Sequence, residues 1–372
     1  MASLRIRGAF VFSAAVAHNS RIPQTSKTRK RSRLTPAADL SARTDSRLGR
    51  IVRLLSDHAT FVVSGTKLAQ EIGTGRSAVW RFVEQLRSLG VEIKGHPTTG
   101  YQLQKVPDLL LPEILAPLLK GSMFHRIHHY FRVGSTNAAA MAAAAEGEPE
   151  GSVFFSEEQT AGRGRGGNAW HSEKSSGVYC SVVLRPHLPP ADAVTLSLAA
   201  GLAVQAAVKQ VTGLEPDLRW PNDVLLRDKK FCGILAEMNA EATRVRYAVV
   251  GIGLNVNHAD LPGELRGRAT SLRLETGRAW SRVELAAALL KSLDCEYRSL
   301  DSTDPAARDA LLRRFEERSS YARGKLVRVE ENGGFEGVTE GLDARGFLRV
   351  RTGEGLRTVL SGGVRALVPQ ET

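Results

Sequence analysis

Between Glu158 and Leu184 the chain reads E-Q-T-A-G-R-G-R-G-G-N-A-W-H-S-E-K-S-S-G-V-Y-C-S-V-V-L, and this stretch constrains the fold more than any other. Gly162, Gly164 and Gly167 formally satisfy G-x-G-x-x-G. A dinucleotide-binding fold needs that pattern to open a helix inside a βαβ unit that carries an acidic partner. Asn168, Ala169 and Trp170 open no apolar-periodic helix and no such unit follows, so that fold is excluded. The stretch also lacks the G-K-[ST] ending of a P-loop. What remains is a loop between two strands with Arg163 and Arg165 on alternate positions, able to gather two guanidinium groups and backbone N–H groups around an anion. That suits a phosphate or an acyl phosphate. An Arg/Gly-rich nucleic-acid tether is the plainer alternative, and a single copy between two strands speaks against it.

The loop sits in a mixed α/β region from Leu109 to about Arg323. Strands are predicted at Gly151–Phe155, Val178–Leu184, Val224–Leu226, Ile234–Met238 and Tyr247–Val256, and helices at Asn137–Ala145, Ala193–Val211 and Arg282–Leu300. Ser281 and Glu284 form a capping box for the last helix. Residues 324–369 are short strands separated by glycine turns, as in a small β-barrel.

Ahead of this region, residues 46–105 carry three apolar stripes at helical spacing: Leu48, Ile51, Val52 and Leu55; Leu68, Ala69 and Ile72; Val79, Phe82, Val83 and Leu86. Gly73 marks the tight turn between the second and third. Val91–Lys94 and Tyr101–Leu103 alternate like strands around Gly95, Pro97 and Gly100. The order is that of a winged helix-turn-helix. On the third helix Ser77, Trp80, Arg81 and Glu84 lie opposite the core stripe and would meet the major groove or its phosphates. Alternatively, Arg81 and Glu84 are a solvated face and Trp80 packs on the wing.

Charge supports the DNA reading. The formal charge is +12, and residues 1–45 hold nine Lys/Arg against two Asp while residues 46–105 hold nine against four Asp/Glu. The remaining 267 residues balance, so any polyanion belongs with the first hundred. Residues 1–45 read as a disordered basic tail; an organelle transit peptide or a misassigned start codon has the same composition. Cys180, Cys232 and Cys295 are widely spaced, which fits neither a disulfide framework nor a zinc site and points to a reducing cytoplasm. No apolar run is expected to reach the roughly 20 residues that span a bilayer.

Taken together, the loop, Arg219-Trp220-Pro221-Asn222-Asp223, Lys229-Lys230-Phe231-Cys232-Gly233-Ile234-Leu235 and Val250-Gly251-Ile252-Gly253-Leu254-Asn255-Val256-Asn257 resemble, in order and spacing, the bifunctional biotin protein ligase and biotin operon repressor family. The resemblance spans about residues 48–368. It implies an α/β (α+β) chain: a winged helix-turn-helix, a central mixed-sheet catalytic domain like those of class II aminoacyl-tRNA synthetases and biotin/lipoate ligases, and a small C-terminal β-barrel.

The family's biotin contacts carry over to Ser135, Thr136 and Asn137 of an S-T-N turn, to Gln159, to Arg163-Gly164-Arg165 and to Lys230, with Lys230, Arg163 and Arg165 as the catalytic cations. The chemistry is sensible on its own terms. A ureido ring needs neutral donors and acceptors, while a carboxylate and an α-phosphate need cations. Asn222 and Asp223 are implied near the ATP phosphates and their Mg²⁺, with Asp223 as metal ligand, and Asn255 near the adenosine. A turn or helix-cap acid is the competing role for Asp223.

The implied reaction joins biotin to AMP with loss of pyrophosphate and then to a lysine of a biotin carboxyl carrier protein. No enzyme nucleophile is needed, and His171 and Cys180 receive no role. A homodimer on adenylate binding and operator DNA are the implied regulatory partners. Two departures stand out: Gly166, Asn168 and Ala169 are neutral where relatives are often basic, implying weaker retention of the adenylate, and Trp80 is bulky on the recognition helix. A lipoate protein ligase and a biotin-sensing transcription factor without ligase activity are the alternatives.

Overall fold

The apolar stripes of the first hundred residues close on one another as their spacing requires. In the computed structural model, which describes residues 36–105, 108–300, 305–331 and 333–367, α1 (Pro36–Asp57), α2 (Gly65–Glu71) and α3 (Arg76–Ser88) bury Leu48, Ile51, Val52, Leu55, Leu68, Val79, Val83 and Leu86 completely. The helix begins ten residues before the expected end of the tail. Proline fits the first position of a helix, and alanines follow it at positions 37 and 38. The rest of the expected tail, residues 1–35, lies outside the described residues.

Gly73 turns between α2 and α3 at φ +63°. The wing is β1 (Ile93–His96) paired with β2 (Gly100–Leu103), Ile93 opposite Leu103. This core does not stop at residue 105. Leu109 and Leu111 are buried in it, so the chain that leaves the wing completes the unit it leaves.

Next come α4 (Pro112–Leu118), β3 (Arg126–Tyr130), α5 (Thr136–Ala145), β4 (Ser152–Ser156), β5 (Gly177–Leu184), α6 (Val194–Thr212), β6 (Asp217–Arg219), β7 (Asp223–Leu226), β8 (Lys229–Ala240), β9 (Val245–Asn255), α7 (Leu272–Thr276), α8 (Arg282–Leu300) and α9 (Pro305–Glu317). The seven strands form a mixed sheet in the order β3-β4-β5-β9-β8-β7-β6, parallel only between β3 and β4. Because strand side chains alternate between faces, Val153, Val178 and Val182 join the core with α6 and α8, whereas Phe154, Val183 and Val249 pack with Ala140 and Ala144 of α5. The five predicted strands are present. The two edge strands are additional: β6 has only three residues, and nothing alternates in β3, Arg-Ile-His-His-Tyr.

One helical stretch, Pro190–Thr212, is long and apolar enough to cross a membrane by length and composition, which corrects the expectation that no such run exists. Of its most apolar window, 83% is buried inside the fold, where it packs on α8.

The last five strands, β10 (Arg323–Val329), β11 (Phe335–Leu342), β12 (Leu348–Thr352), β13 (Gly355–Val359) and β14 (Val364–Ala366), form an antiparallel sheet in the order β13-β12-β11-β10-β14. Val327, Val329, Leu348 and Val350 belong to the same continuous core as Leu311 and Phe315 of α9. Trp220 seals the junction, its indole N–H donating to Gly346 O at 2.9 Å.

Candidate functional site

A cleft lies where the start of α5, β5, β8, β9 and the arginine loop meet. Its polar floor is a closed set of hydrogen bonds. Ser135 caps α5, and Gln159 Oε1 accepts from Thr136 N at 2.8 Å and Thr136 Oγ1 at 3.1 Å. Gln159 Nε2 donates to Ser172 Oγ at 2.8 Å. Asn137 Nδ2 donates to Leu235 O at 3.2 Å and Glu237 Oε2 at 2.9 Å, while its Oδ1 lies 2.6 Å from the Ser181 hydroxyl. Asn137 thus fixes α5 on the sheet with its own amide. That contact needs Gly251, since a Cβ there would fall 2.0 Å from Asn137 Oδ1. Gly233 and Gly253 play the same part for Trp170: a Cβ on either would meet its indole at 2.8 or 2.4 Å. The indole Nε1 is buried with no hydrogen-bond partner among the described residues.

The other end of the cleft is cationic. Lys230 Nζ lies 2.5 Å from Asp223 Oδ1 and 5.4 Å from the centre of the Trp170 ring. Arg219 grips Asp223 Oδ2 through Nη2 at 2.7 Å and Nε at 3.2 Å. Burial pushes the Asp223 pKa up, but Lys230 and then Arg219 outweigh it, so the carboxyl stays ionised below its ordinary value. The arginine loop is pinned into a small hairpin by Gly164 N to Asn168 O at 2.7 Å, Trp170 N to Gly162 O at 2.9 Å and Asn168 Nδ2 to Arg165 O at 2.8 Å. Arg163 is exposed. Arg165 turns away from solvent and donates to Gly362 O of the C-terminal sheet. Burial lowers its pKa despite the nearby Asp223, Glu331 and Glu330 carboxylates.

Residues 132–255 match the Biotin/lipoate A/B protein ligase family, residues 47–102 an HTH domain and residues 324–364 the biotin protein ligase C-terminal domain. The bifunctional ligase/repressor of Bacillus subtilis (strain 168) is 34% identical over 321 residues, 84% of this chain and 97% of the relative. The chain belongs to the biotin protein ligase family. The biotin--[acetyl-CoA-carboxylase] ligase of Mycobacterium tuberculosis is 38% identical over 252 residues, 65% of this chain and 89% of the relative. Among solved structures, the biotin protein ligase of Aquifex aeolicus in complex with biotin and ATP superposes with a TM-score of 0.56 at 29% identity, over 65% of this chain and 98% of that one.

Within this ligase-family cleft the structure gathers Ser135, Thr136, Asn137, Gln159, Arg163, Gly164, Arg165, Asn222 and Lys230. It does not bring Asn255 among the lining residues: that side chain is buried at the end of β9 and donates to Thr270 O at 3.1 Å. Asp223 has a cation at each carboxylate oxygen, Lys230 Nζ at Oδ1 and Arg219 Nη2 at Oδ2, and so holds both in position. Asn222 spends its amide on Ile234 O at 2.8 Å. Trp170 and the glycines at 233, 251 and 253 were not singled out from sequence. The signal was there, since glycines alternating inside a strand mark a close approach by another group.

Two further features lie outside the cleft. On α3, Ser77, Trp80 and Arg81 are exposed, Trp80 by 56%, so the tryptophan does not pack on the wing. Glu84 is paired with Arg87, which also donates to Ile93 O and ties α3 to β1. The second feature is Glu157, fully buried at the end of β4. It accepts from Leu110 N at 2.9 Å and Arg282 Nη1 at 2.7 Å and meets His129 Nε2 at 3.2 Å. Burial pushes its pKa up, yet Arg282 and His129 hold it at about 2. Arg282 also holds Asp108, so the chain leaving the winged helix is tied to the sheet two residues before Gln159. The buried thiol of Cys180, pushed up to about 12, is no nucleophile.

Proposed function

We propose that the chain activates biotin with ATP as biotinyl-5'-AMP, transfers biotin to a lysine of a biotin carboxyl carrier protein, and represses transcription through its winged helix when adenylate accumulates. The observation that carries this reading is the polarity of one cleft, with a neutral hydrogen-bonded floor at one end and Lys230, Arg163 and Arg165 at the other.

In the first step the biotin carboxylate attacks the α-phosphorus and pyrophosphate leaves; in the second a carrier amine attacks the acyl carbon and AMP leaves. Thr136 and Gln159 present the ring with hydroxyl and amide groups. Lys230 neutralises the carboxylate and the charge that grows at phosphorus, and Asp223 with Arg219 keeps its ammonium in place. Arg163 and Arg165 close over the product with the loop. Mg²⁺ arrives with ATP as part of the substrate complex, and no step is assigned to it at Asp223. Asn222 faces the phosphates, and Asn255 stands at the adenosine end, beyond the cleft lining. Ser77, Trp80 and Arg81 contact operator DNA, with a homodimer formed through the central sheet reading two half-sites. The setting is a cytoplasm.

The test is to incubate the purified protein with Mg-ATP, biotin and a biotin carrier domain and to detect biotinylated carrier with streptavidin, with lipoate as competitor. ATP-dependent transfer that lipoate does not displace supports the reading. Biotin binding without transfer or pyrophosphate release would favour a sensor without ligase activity, and preference for lipoate would favour a lipoate ligase.

A further inference from the structure

Three side chains with no part in this chemistry meet where the arginine loop returns to β5. Donor atoms of His171, Glu173 and His258 all lie within 4.8 Å of one another. The first two residues are exposed and His258 is completely buried. The surroundings of His258 fix its tautomer. The Tyr179 hydroxyl spends its one proton on Glu173 O at 2.9 Å, so its oxygen is left to accept from His258 Nε2 at 3.1 Å. Nδ1 is then a bare lone pair. It is buried and has no hydrogen-bond partner among the described residues. Leaving such an atom unsatisfied costs free energy, so it calls for a partner. A neutral imidazole with its other nitrogen hydrogen-bonded is the form in which histidine binds metals.

We propose that His171, Glu173 and His258 form a site for a divalent transition-metal ion. Two imidazoles and a carboxylate suit zinc and its neighbours, whereas magnesium and calcium take oxygen donors. Bonds of about 2.0–2.2 Å to one ion need donors about 3.3 Å apart, closer than the limit observed here. The exposed His171 and Glu173 side chains are the ones that move, and His258 is the fixed point. Three protein ligands leave a position open for water. An ion there ties the segment just after Trp170 to the chain three residues past β9, and so braces the return of the arginine loop.

The experiment uses the full chain, stripped with EDTA and titrated with Zn²⁺ against a chromophoric chelator. One Zn²⁺ per chain is expected, with affinity weakened about 10–100-fold or more in His171→Ala and in Glu173→Gln. Both residues are exposed, so folding is retained, which circular dichroism checks. Co²⁺ should give a d–d absorption band in the wild type that is absent from the double variant, and Zn²⁺ should raise Tm only in the wild type. The proposal is overturned if wild type and double variant bind Zn²⁺ equally, whether at another site or not at all, for then water alone satisfies Nδ1.

Discussion

On the floor of the cleft Thr136, Asn137, Gln159 and Ser181 bond to one another or to the sheet, all within a 2.6–3.2 Å span, and Thr136 and Asn137 are each 4% exposed. On the loop above, Arg163 is exposed and Arg165 is held at its tip by the carbonyl of Gly362. The floor has one arrangement, fixed by packing before any ligand arrives. The loop carries the charge on few anchors, so it can rearrange around a phosphate at small cost. Shape recognition and charge neutralisation are thereby assigned to segments of different stiffness.

Gly251→Ala attacks the floor and should have the largest effect. The new methyl lands 2.0 Å from Asn137 Oδ1 and forces apart the bonds to Ser181, Leu235 and Glu237. A loss of about 3 kcal/mol is expected from overpacking together with the polar groups it unpairs. Biotin binding should weaken at least about 100-fold. Thermal unfolding and calorimetric titration with biotin measure both, and near-wild-type values would mean the floor is softer than its contacts imply. Lys230→Ala tests the other side of the comparison. Adenylate formation, followed by pyrophosphate release, should fall about 100–1000-fold while biotin still binds and the fold persists. An unchanged rate would remove Lys230 from the mechanism.

That contrast was half legible in the sequence. Arg163 and Arg165 declare themselves because cations beside glycines on a loop have few structural uses, whereas Lys230, in β8, is picked out by the motif it belongs to. Stripes at period 3.6 mark the helices of the winged domain, and short apolar runs mark β4, β5, β8 and β9. The strand β3 has no alternation to read, because it lies at a sheet edge and none of its residues is fully buried. What sequence alone could not supply is which distant groups meet. Arg165 meets Gly362 across 197 positions and Arg282 meets Asp108 across 174. No local pattern connects such partners. Asp223 is a different case: its partners Arg219 and Lys230 lie only a few positions away, but that they meet its two oxygens is visible only in the folded chain.

Glu157 extends the rigid side beyond the cleft and gives it a pH signature. Its folded pKa of about 2 lies below the ordinary 4.5, so its contribution is fully present above pH 4.5 and is lost as pH falls toward 2. The difference corresponds to about 3 kcal/mol. Glu157→Gln should therefore be much less stable than the wild type at pH 7, with the gap narrowing as both are acidified. Urea unfolding at pH 7 and pH 3.5 measures this. A gap independent of pH would assign Glu157 a packing role only. The kinetic effect at pH 7 should be smaller than that of Lys230→Ala, because Glu157 touches no cleft atom and acts through the segment leading to Gln159.

Arg165→Ala should change least, and it decides whether the loop is separate from the floor. The side chain gives up one charge-assisted bond to Gly362 O and its proximity to Glu330, Glu331 and Asp223. The hairpin itself keeps its backbone bonds, Gly164 N to Asn168 O and Trp170 N to Gly162 O, so Tm should stay close to the wild-type value. Bound adenylate should escape about tenfold faster, the scale of one charge-assisted hydrogen bond, with its rate of formation reduced less than by Lys230→Ala. Release of radiolabelled adenylate from the purified complex measures the first and pyrophosphate release the second. If Arg165→Ala instead lowers Tm as far as Gly251→Ala does, the loop, the C-terminal sheet and the floor form one rigid body. The division of stiffness would then lie between this whole body and the winged domain, which the Asp108–Arg282–Glu157 connection joins.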